Sequence, residues 1–523
     1  MSVSGIVRSP FPEIEIPDTL LSSFVFQGTA QVADKAAFID GFSGRSVAHG
    51  ELFDAAYRAA GGLASLGFGK GDVLAILLPN VPEYPIAFHA AAIAGGIVTT
   101  INPTYTVEEV AFQLSDSGAV YLLTATALLE TAQAAAATSG VKEILVLGEP
   151  GDGAVGFAEL LAAARYDADP GVTPGDVVAM PYSSGTTGLP KGVMISHRGF
   201  VANHLQRLQA VALESDEVYI AVLPFFHIYG ITTLVNGVIQ RGVTAVTMPR
   251  FDFEEFLRIV QEYRVTFAPL VPPIILGLAK HPLVDQYDLS SLRVIYSGAA
   301  PLPQEVAAVC SARIGCPVVE GYGMTETIIA HVNDEEGARE HPGSIGRLLP
   351  NTEAQIVEPD TGNVLDPNKD GEIWIRGPQV MIGYLNNPEA TSETIDEQGW
   401  VHTGDIGHYD EDGYFYVVDR VKELIKVKAY QVAPAELEAL LLSHPSVADA
   451  AVIGIPDEEA GEIPKAFVVA STATTGDELM AFVADRLAPY KRIRQVEFIE
   501  QIPKSPSGKI LRRTLRDKEA SPT

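Results

Sequence analysis

Short apolar, β-branched runs alternate with longer runs of helical period through most of this chain, and that alternation restricts its fold more than any other feature. Residues 73–78, 97–100 and 120–124 read as strands, and 50–67, 83–94 and 106–117 as helices. A continuous apolar strand needs cover on both faces, which a parallel sheet with crossover helices supplies. The rhythm resumes with expected strands at 218–222, 244–248, 266–269, 294–297 and 318–322. The pattern predicts an α/β protein with two doubly wound lobes to about residue 350, facing each other, and a ligand crevice at the strand ends. From about 351 to 419 short strands at 353–357, 372–376 and 414–418 lie among Gly, Pro, Asn and Asp turns, as in a small β-barrel. Beyond Asp419-Arg420-Val421-Lys422 comes an α+β pattern: helices at 434–443 and 477–487, strands at 447–455, 463–469 and 495–498. The expected organisation is an N-terminal domain over 1–419 and a smaller C-terminal domain over 420–523.

Between the two series of strands lies Tyr182-Ser183-Ser184-Gly185-Thr186-Thr187-Gly188-Leu189-Pro190-Lys191-Gly192-Val193. Glycines let backbone N–H groups turn toward a ligand, Ser183, Ser184, Thr186 and Thr187 add hydroxyls, and Lys191 adds a positive charge. This set suits polyphosphate oxygens, although the spacing is not that of a Walker A loop. Composition bears on the partners of such a loop. A formal charge of −30 argues against nucleic acid and requires any anion site to be locally basic. Positive charge gathers late, in Lys491, Arg492, Arg494, Lys504, Lys509, Arg512, Arg513 and Arg516. A solvated basic tail accounts for most of these, Lys504 included; Lys509 differs, because it follows Gly508 in a Pro/Ser-rich loop. Cys310 and Cys316 lack partners at metal spacing and read as reduced thiols of a cytoplasmic protein. Residues 1–17 lack a signal-peptide core, and 85–100 is short, Gly-broken and contains His89, so no membrane insertion is expected. A monomer or homodimer is expected.

The run from Tyr182 to Val193 resembles the signature loop of the adenylate-forming enzymes: acyl-CoA synthetases, plant-type coumarate–CoA ligases, beetle luciferases and peptide-synthetase adenylation domains. Three more clusters match the same family, so the resemblance spans about residues 50 to 513. They are Glu320-Gly321-Tyr322-Gly323-Met324-Thr325-Glu326-Thr327; Thr403-Gly404-Asp405 with Asp419-Arg420; and Lys422, Lys426, Lys428 and Gln431 with the later run Pro503 to Lys509. The motifs are most similar to those of 4-coumarate–CoA ligases. The resemblance implies ATP and AMP binding by Ser183, Ser184, Gly185, Thr186, Thr187, Lys191, Glu320, Gly321, Tyr322, Thr325, Asp405, Arg420 and Lys509, with Mg²⁺ on Glu326. Within that set it assigns Tyr322 to the adenine slot, Thr325 to the α-phosphate and Asp405 with Arg420 to the ribose. It places Lys509 at the reacting carboxylate in the first step, Lys426 on the opposite face for the second, and the hinge of a mobile C-terminal domain near Lys422. His227, in Phe225-Phe226-His227-Ile228-Tyr229-Gly230, would gate an acyl pocket holding Tyr229, Thr233, Tyr296, Ala299, Gly323 and Ile329, with Lys422 and Lys426 also reaching the acyl group. Arg250, Lys428 and Ala429 would meet CoA.

The implied activity is an ATP-dependent carboxylic acid–CoA ligase acting through an acyl adenylate on a hydroxycinnamate such as 4-coumarate. A medium-chain fatty acid ligase and a stand-alone enzyme loading a carrier protein are alternatives, ahead of a luciferase-like oxidase or a nucleotide-binding regulator without catalysis. The chain departs from the family at Glu320, where Gln or Asn is usual, and at Tyr296, which is bulkier and could hydrogen-bond a substrate hydroxyl. It also departs at Ile329 and Ala330, and at Ala429, where glycine is usual beside a thiol tunnel.

Overall fold

The computed structural model describes residues 5–151, 153–183, 190–211, 216–420, 423–427, 430–457, 460–487, 489–506 and 508–520, without the side chains of 430, 431 and 520. An eight-stranded sheet forms the first lobe, in spatial order Gly383–Tyr384, Lys191–Ser196, Val177–Ser183, Ile97–Thr100, Val73–Leu77, Ala119–Ala125, Glu143–Leu147 and Val155–Gly156. Val73–Leu77 is buried at every position between two parallel neighbours, which is why it reads as an unbroken apolar run. The helix Glu83–Ile93 is buried at every residue from Tyr84 to Ile93. A helix with no polar face belongs inside a core, and this one lies in a single core that joins both lobes.

The second sheet has nine strands, in the order Arg347–Leu348, Ile328–Val332, Val318–Met324, Val294–Ser297, Phe267–Leu270, Val218–Ala221, Thr244–Thr247, Ala36–Asp40 and Ser46–Ala48. The last two precede the first lobe in sequence and form a hairpin on the far edge of the second. Sequence reading missed them because only Ala37 and Phe38 of the first strand are fully buried. The small barrel expected is a five-stranded antiparallel sheet curled into a half-barrel: Val7–Arg8, Glu353–Val357, Gly371–Arg376, Val401–Tyr409 and Phe415–Arg420. Strands expected at 97–100, 294–297, 353–357 and 495–498 form with those bounds. Among the described residues no helix is long and apolar enough to cross a membrane.

The chain after Arg420 builds another sheet, ordered Tyr430–Val432, Ile425–Val427, Gly461–Ala470 and Val447–Asp457, with Gln495–Phe498 beside Gly461–Ala470. Side chains alternate across it: Val452 and Val468 join Leu437 and Leu479 on one face, while Ala451, Ile453 and Phe467 meet Ile502 and Leu515 on the other. Of the late basic residues, Arg494 and Arg513 are exposed as a solvated tail would be, and others are not. Lys504 pairs with Asp449 at 2.5 Å, Lys491 with Glu436 at 2.7 Å and Arg516 with Glu423 at 2.6 Å. The acidic composition supplies a carboxylate for each. Arg512 is the extreme case: it donates to both oxygens of the buried Glu438, which also accepts from the Val452 N–H at 2.8 Å. Arg512→Ala strands that carboxylate and should cost about 3–5 kcal/mol of stability in urea unfolding. The pair Arg512→Met/Glu438→Leu should recover most of the loss, and no recovery would show that pairing is not the reason.

Candidate active site

The hairpin of strands Val318–Met324 and Ile328–Val332 carries the second motif cluster into the crevice as a turn between strands. It folds tightly enough that a Cβ at Gly323 would lie 1.9 Å from the Ile328 carbonyl oxygen. Ile328 itself has φ 53°, and Ala299, across the same cavity, has φ 70°. These left-handed conformations cost roughly 1–3 kcal/mol for side chains of this kind and are held by their surroundings. Gly323→Ala must displace the hairpin backbone. Adenylate formation, read by acid-dependent ATP–pyrophosphate exchange, should fall about 100-fold. A near-normal rate in a folded variant would mean that the hairpin yields without moving its neighbours.

Thr325 and Glu326 are buried in the turn. The Tyr384 hydroxyl donates to Glu326 Oε1 at 2.7 Å, and the Lys191 ammonium lies 4.8 Å over the Tyr384 ring. Tyr384, which sequence reading missed, therefore couples the lysine of the glycine-rich run to the carboxylate. The second oxygen of Glu326 takes no hydrogen bond among the described residues, so a single metal contact fits there. Mg²⁺ usually takes one or two carboxylates, with substrate phosphates and water. Lys191 opens a strand paired with Val177–Ser183, and Ser183 is its register partner. Ser184, Gly185, Thr186 and Thr187 lie outside the described residues.

Asp405 and Arg420 are register partners on adjacent strands, and Arg420 Nε reaches Asp405 Oδ1 at 3.1 Å. The Tyr322 hydroxyl donates to the other carboxylate oxygen at 2.6 Å, bringing together two motifs more than eighty residues apart. Lys509 joins this group from the C-terminal sheet. Its loop closes through Ser505 N–H to Lys509 O at 2.8 Å and Lys509 N–H to Ser505 Oγ at 3.1 Å, with Gly508 at φ 79° against Pro273. Burial, then the Arg420 guanidinium, pushes its pKa down to about 8, against the pull of Asp405. Lys426 is placed differently, exposed on the strand Ile425–Val427, whose flanking side chains are buried. Arg250 is exposed 5.9 Å from the Phe42 ring centroid. Lys422, Lys428 and Ala429 lie outside the described residues, as does the conformation expected of Ala429.

Glu320 opens on a pocket with Asn333 and Ser344, in enclosed surroundings that push its pKa up to about 8. At neutral pH it is mostly a neutral acid, with one donor and one acceptor oxygen. In that state its donor and acceptor match those of the usual amide.

A cavity of about 690 Å³, counting its open mouth, is lined by His227, Tyr229, Thr233, Tyr296, Ala299, Gly323 and Ile329 of the expected acyl residues; Lys426 is not in its lining, and Lys422 lies outside the described residues. Burial and the nearby Lys509 push His227 down to about 4, so it is neutral at pH 7, and its Nδ1 accepts from the Tyr229 N–H. Two residues absent from the sequence reading fix this segment. Asn80 donates to the Ala221 and Leu223 carbonyls and accepts from the Phe225 N–H, while Thr100 donates to the Phe226 carbonyl at 2.7 Å. The next residues, Ile231–Asn236, form a π-helix that includes Thr233. Tyr296 is in the wall, but its hydroxyl donates to the Asn333 carbonyl at 2.5 Å. Its proton is thereby committed, which leaves the phenol oxygen as an acceptor for a substrate hydroxyl.

A crevice with a buried carboxylate and a lysine of lowered pKa, beside a cavity lined by their neighbours Tyr322 and His227, can hold a nucleotide and an acid side by side. The sequence profile of the AMP-binding enzymes matches residues 25–385, and that of the AMP-binding enzyme C-terminal domain matches 436–509. This chain is an AMP-binding enzyme. It is 44% identical over 528 residues to 4-coumarate–CoA ligase 3 of Oryza sativa subsp. japonica, covering 99% of this chain and 95% of that protein. Among solved structures, it is similar to the anthranilate CoA ligase AuaEII in complex with anthranoyl-AMP, with TM-score 0.89 and 25% identity over 97% of this chain and 98% of that one. ATP-bound MatB from Rhodopseudomonas palustris has TM-score 0.87 and 29% identity, over 96% and 99% of the two chains.

Proposed function

We propose that this AMP-binding enzyme is an ATP-dependent carboxylic acid–CoA ligase of the 4-coumarate type. The observation that carries the reading is the meeting of Lys509, Asp405, Arg420 and Tyr322 beside a cavity lined by His227. A carboxylate is a poor electrophile, so one of its oxygens first attacks the α-phosphorus of ATP, and the bond to the bridging oxygen breaks to release pyrophosphate. Charge gathers on the phosphoryl oxygens, where Lys509, Thr325 and Lys191 donate to it; each well-placed donor is worth about 3–4 kcal/mol. Glu326 would hold Mg²⁺, which would neutralise the charge of the pyrophosphate. Asp405 and Arg420 hold the ribose, and Glu320 the adenine edge. The CoA thiol, losing its proton, then attacks the acyl carbon, and AMP leaves with the electrons of the acyl–oxygen bond. Lys426 serves this second step after rotation of residues 420–523 about a hinge near Lys422, which moves Lys509 out of the crevice. Lys426 is exposed away from the sheet while Lys509 faces His227, as two faces used in turn require.

The test is a panel of hydroxycinnamates and C6–C12 fatty acids assayed for CoA-dependent AMP formation. The reading expects 4-coumarate among the best acids. Preference for fatty acids would replace the substrate class, and acid-dependent pyrophosphate release without CoA turnover would point to loading of a carrier protein.

A further inference from the structure

We infer that Arg207 sets specificity in the acyl pocket by binding an acidic oxygen, phenolic or carboxylic, at the end of the acid remote from the reacting carboxyl. The inference rests on the acid–CoA ligase reading and adds the chemistry of the distal group. Arg207 lies in the last turn of the helix His197–Ala210 and lines the cavity with Tyr229, Thr233, Phe267 and Tyr296. A guanidinium carries five N–H donors. Among the described residues, Arg207 makes one hydrogen bond with them, a long one of 3.3 Å to the Thr232 carbonyl, and meets no carboxylate. A second cation, Arg241, lies close behind and donates to the Arg207 and Val211 carbonyls. Burial and that neighbour push the Arg207 pKa down to about 10, which leaves it charged at neutral pH.

Other polar groups of the same wall are similarly uncommitted. Among the described residues, Thr233 Oγ1 and Ser297 Oγ are buried without a partner, and the Tyr229 hydroxyl has only the Tyr296 carbonyl, 3.4 Å away. All three can donate, and no described carboxylate lines the cavity to receive them. The lining of the pocket thus presents a charge and hydroxyl donors to whatever fills it. Lys509 acts on His227 of the same lining, whereas the groups that act on Arg207 are Arg241, Tyr219, Tyr229 and Tyr296, which separates Arg207 from the reacting end. An acid with an apolar tail would leave a partly buried guanidinium unpaired, whereas one ending in a phenol or second carboxylate would complete it.

The test compares kcat/KM for adenylate formation within matched pairs: 4-coumarate against cinnamate, 4-carboxycinnamate against 4-methylcinnamate, and adipate against hexanoate. Wild type should favour the oxygenated member of at least one pair by about 10-fold or more. Arg207→Leu and Arg207→Gln should bring that ratio to within about 3-fold of unity, while Arg207→Lys keeps it for the carboxylates. The phenol pair and the carboxylate pairs distinguish the two sources of the acidic oxygen. Ratios near unity in wild type, or unchanged in the folded Leu and Gln variants, would overturn the role of Arg207 while leaving the ligase reading intact. Wild type that activates none of the six acids would remove both.

Discussion

Lys509→Ala should slow acyl-adenylate formation by about 100- to 1,000-fold while attack of CoA on a supplied acyl adenylate stays within a few-fold of wild type. The loop that holds Lys509 packs against Pro273 at the crevice, and its ammonium is close enough to His227, Arg420 and Asp405 for each to perturb it or be perturbed. No other described lysine is in that position; Lys426 faces solvent on the strand Ile425–Val427. The depressed pKa gives the prediction a pH signature. In the free enzyme the stabilising charge is present below about 8 and is lost as pH rises through it, so kcat/KM for the first half-reaction falls on the alkaline side. Glu320 titrates near the same pH, so the profile is best taken in a Glu320→Gln background, where Lys509→Arg should move the fall upward. Equal loss of both half-reactions in folded Lys509→Ala would contradict the assignment to the first step.

Asp405→Ala should raise the KM for ATP and the Kd for AMP by about 100-fold, with Asp405→Asn intermediate. The buried carboxylate accepts from the Tyr322 hydroxyl and pairs with Arg420. Removing it deletes a ribose acceptor and also leaves those two groups without their partner. Truncating one member of a buried charge pair costs about 2–5 kcal/mol. Equilibrium binding of AMP measures the effect free of chemistry. An unchanged Kd would mean that Asp405 only braces Tyr322.

The two lobes were legible because parallel strands are buried on both faces, and 73–77 and 294–297 consequently carry no polar alternation. Ala36–Asp40 was not, since its strand identity depends on Thr244–Thr247, more than two hundred residues away. The motif residues Tyr322, Asp405, Arg420 and Lys509 were visible as local patterns, and folding brings them together. Asn80, Thr100 and Tyr384 have no such pattern; each matters only through a hydrogen bond to a distant segment. The same limit applies to chemical state. Nothing in the sequence around Glu320 shows that its pocket keeps it protonated, or that the Tyr296 hydroxyl is taken by a backbone carbonyl. Charge runs misled for a related reason: Lys504 and Arg512 look like tail residues until Asp449 and Glu438 are seen beneath them.

The central claim is that the acid's own oxygen attacks the α-phosphorus of ATP. The most direct measurement supplies 4-coumarate labelled with ¹⁸O in both carboxyl oxygens, together with ATP and CoA, and weighs the products. The account predicts one ¹⁸O in each AMP, none in pyrophosphate, and one retained in the thioester carbonyl. AMP free of label while thioester still forms would contradict it.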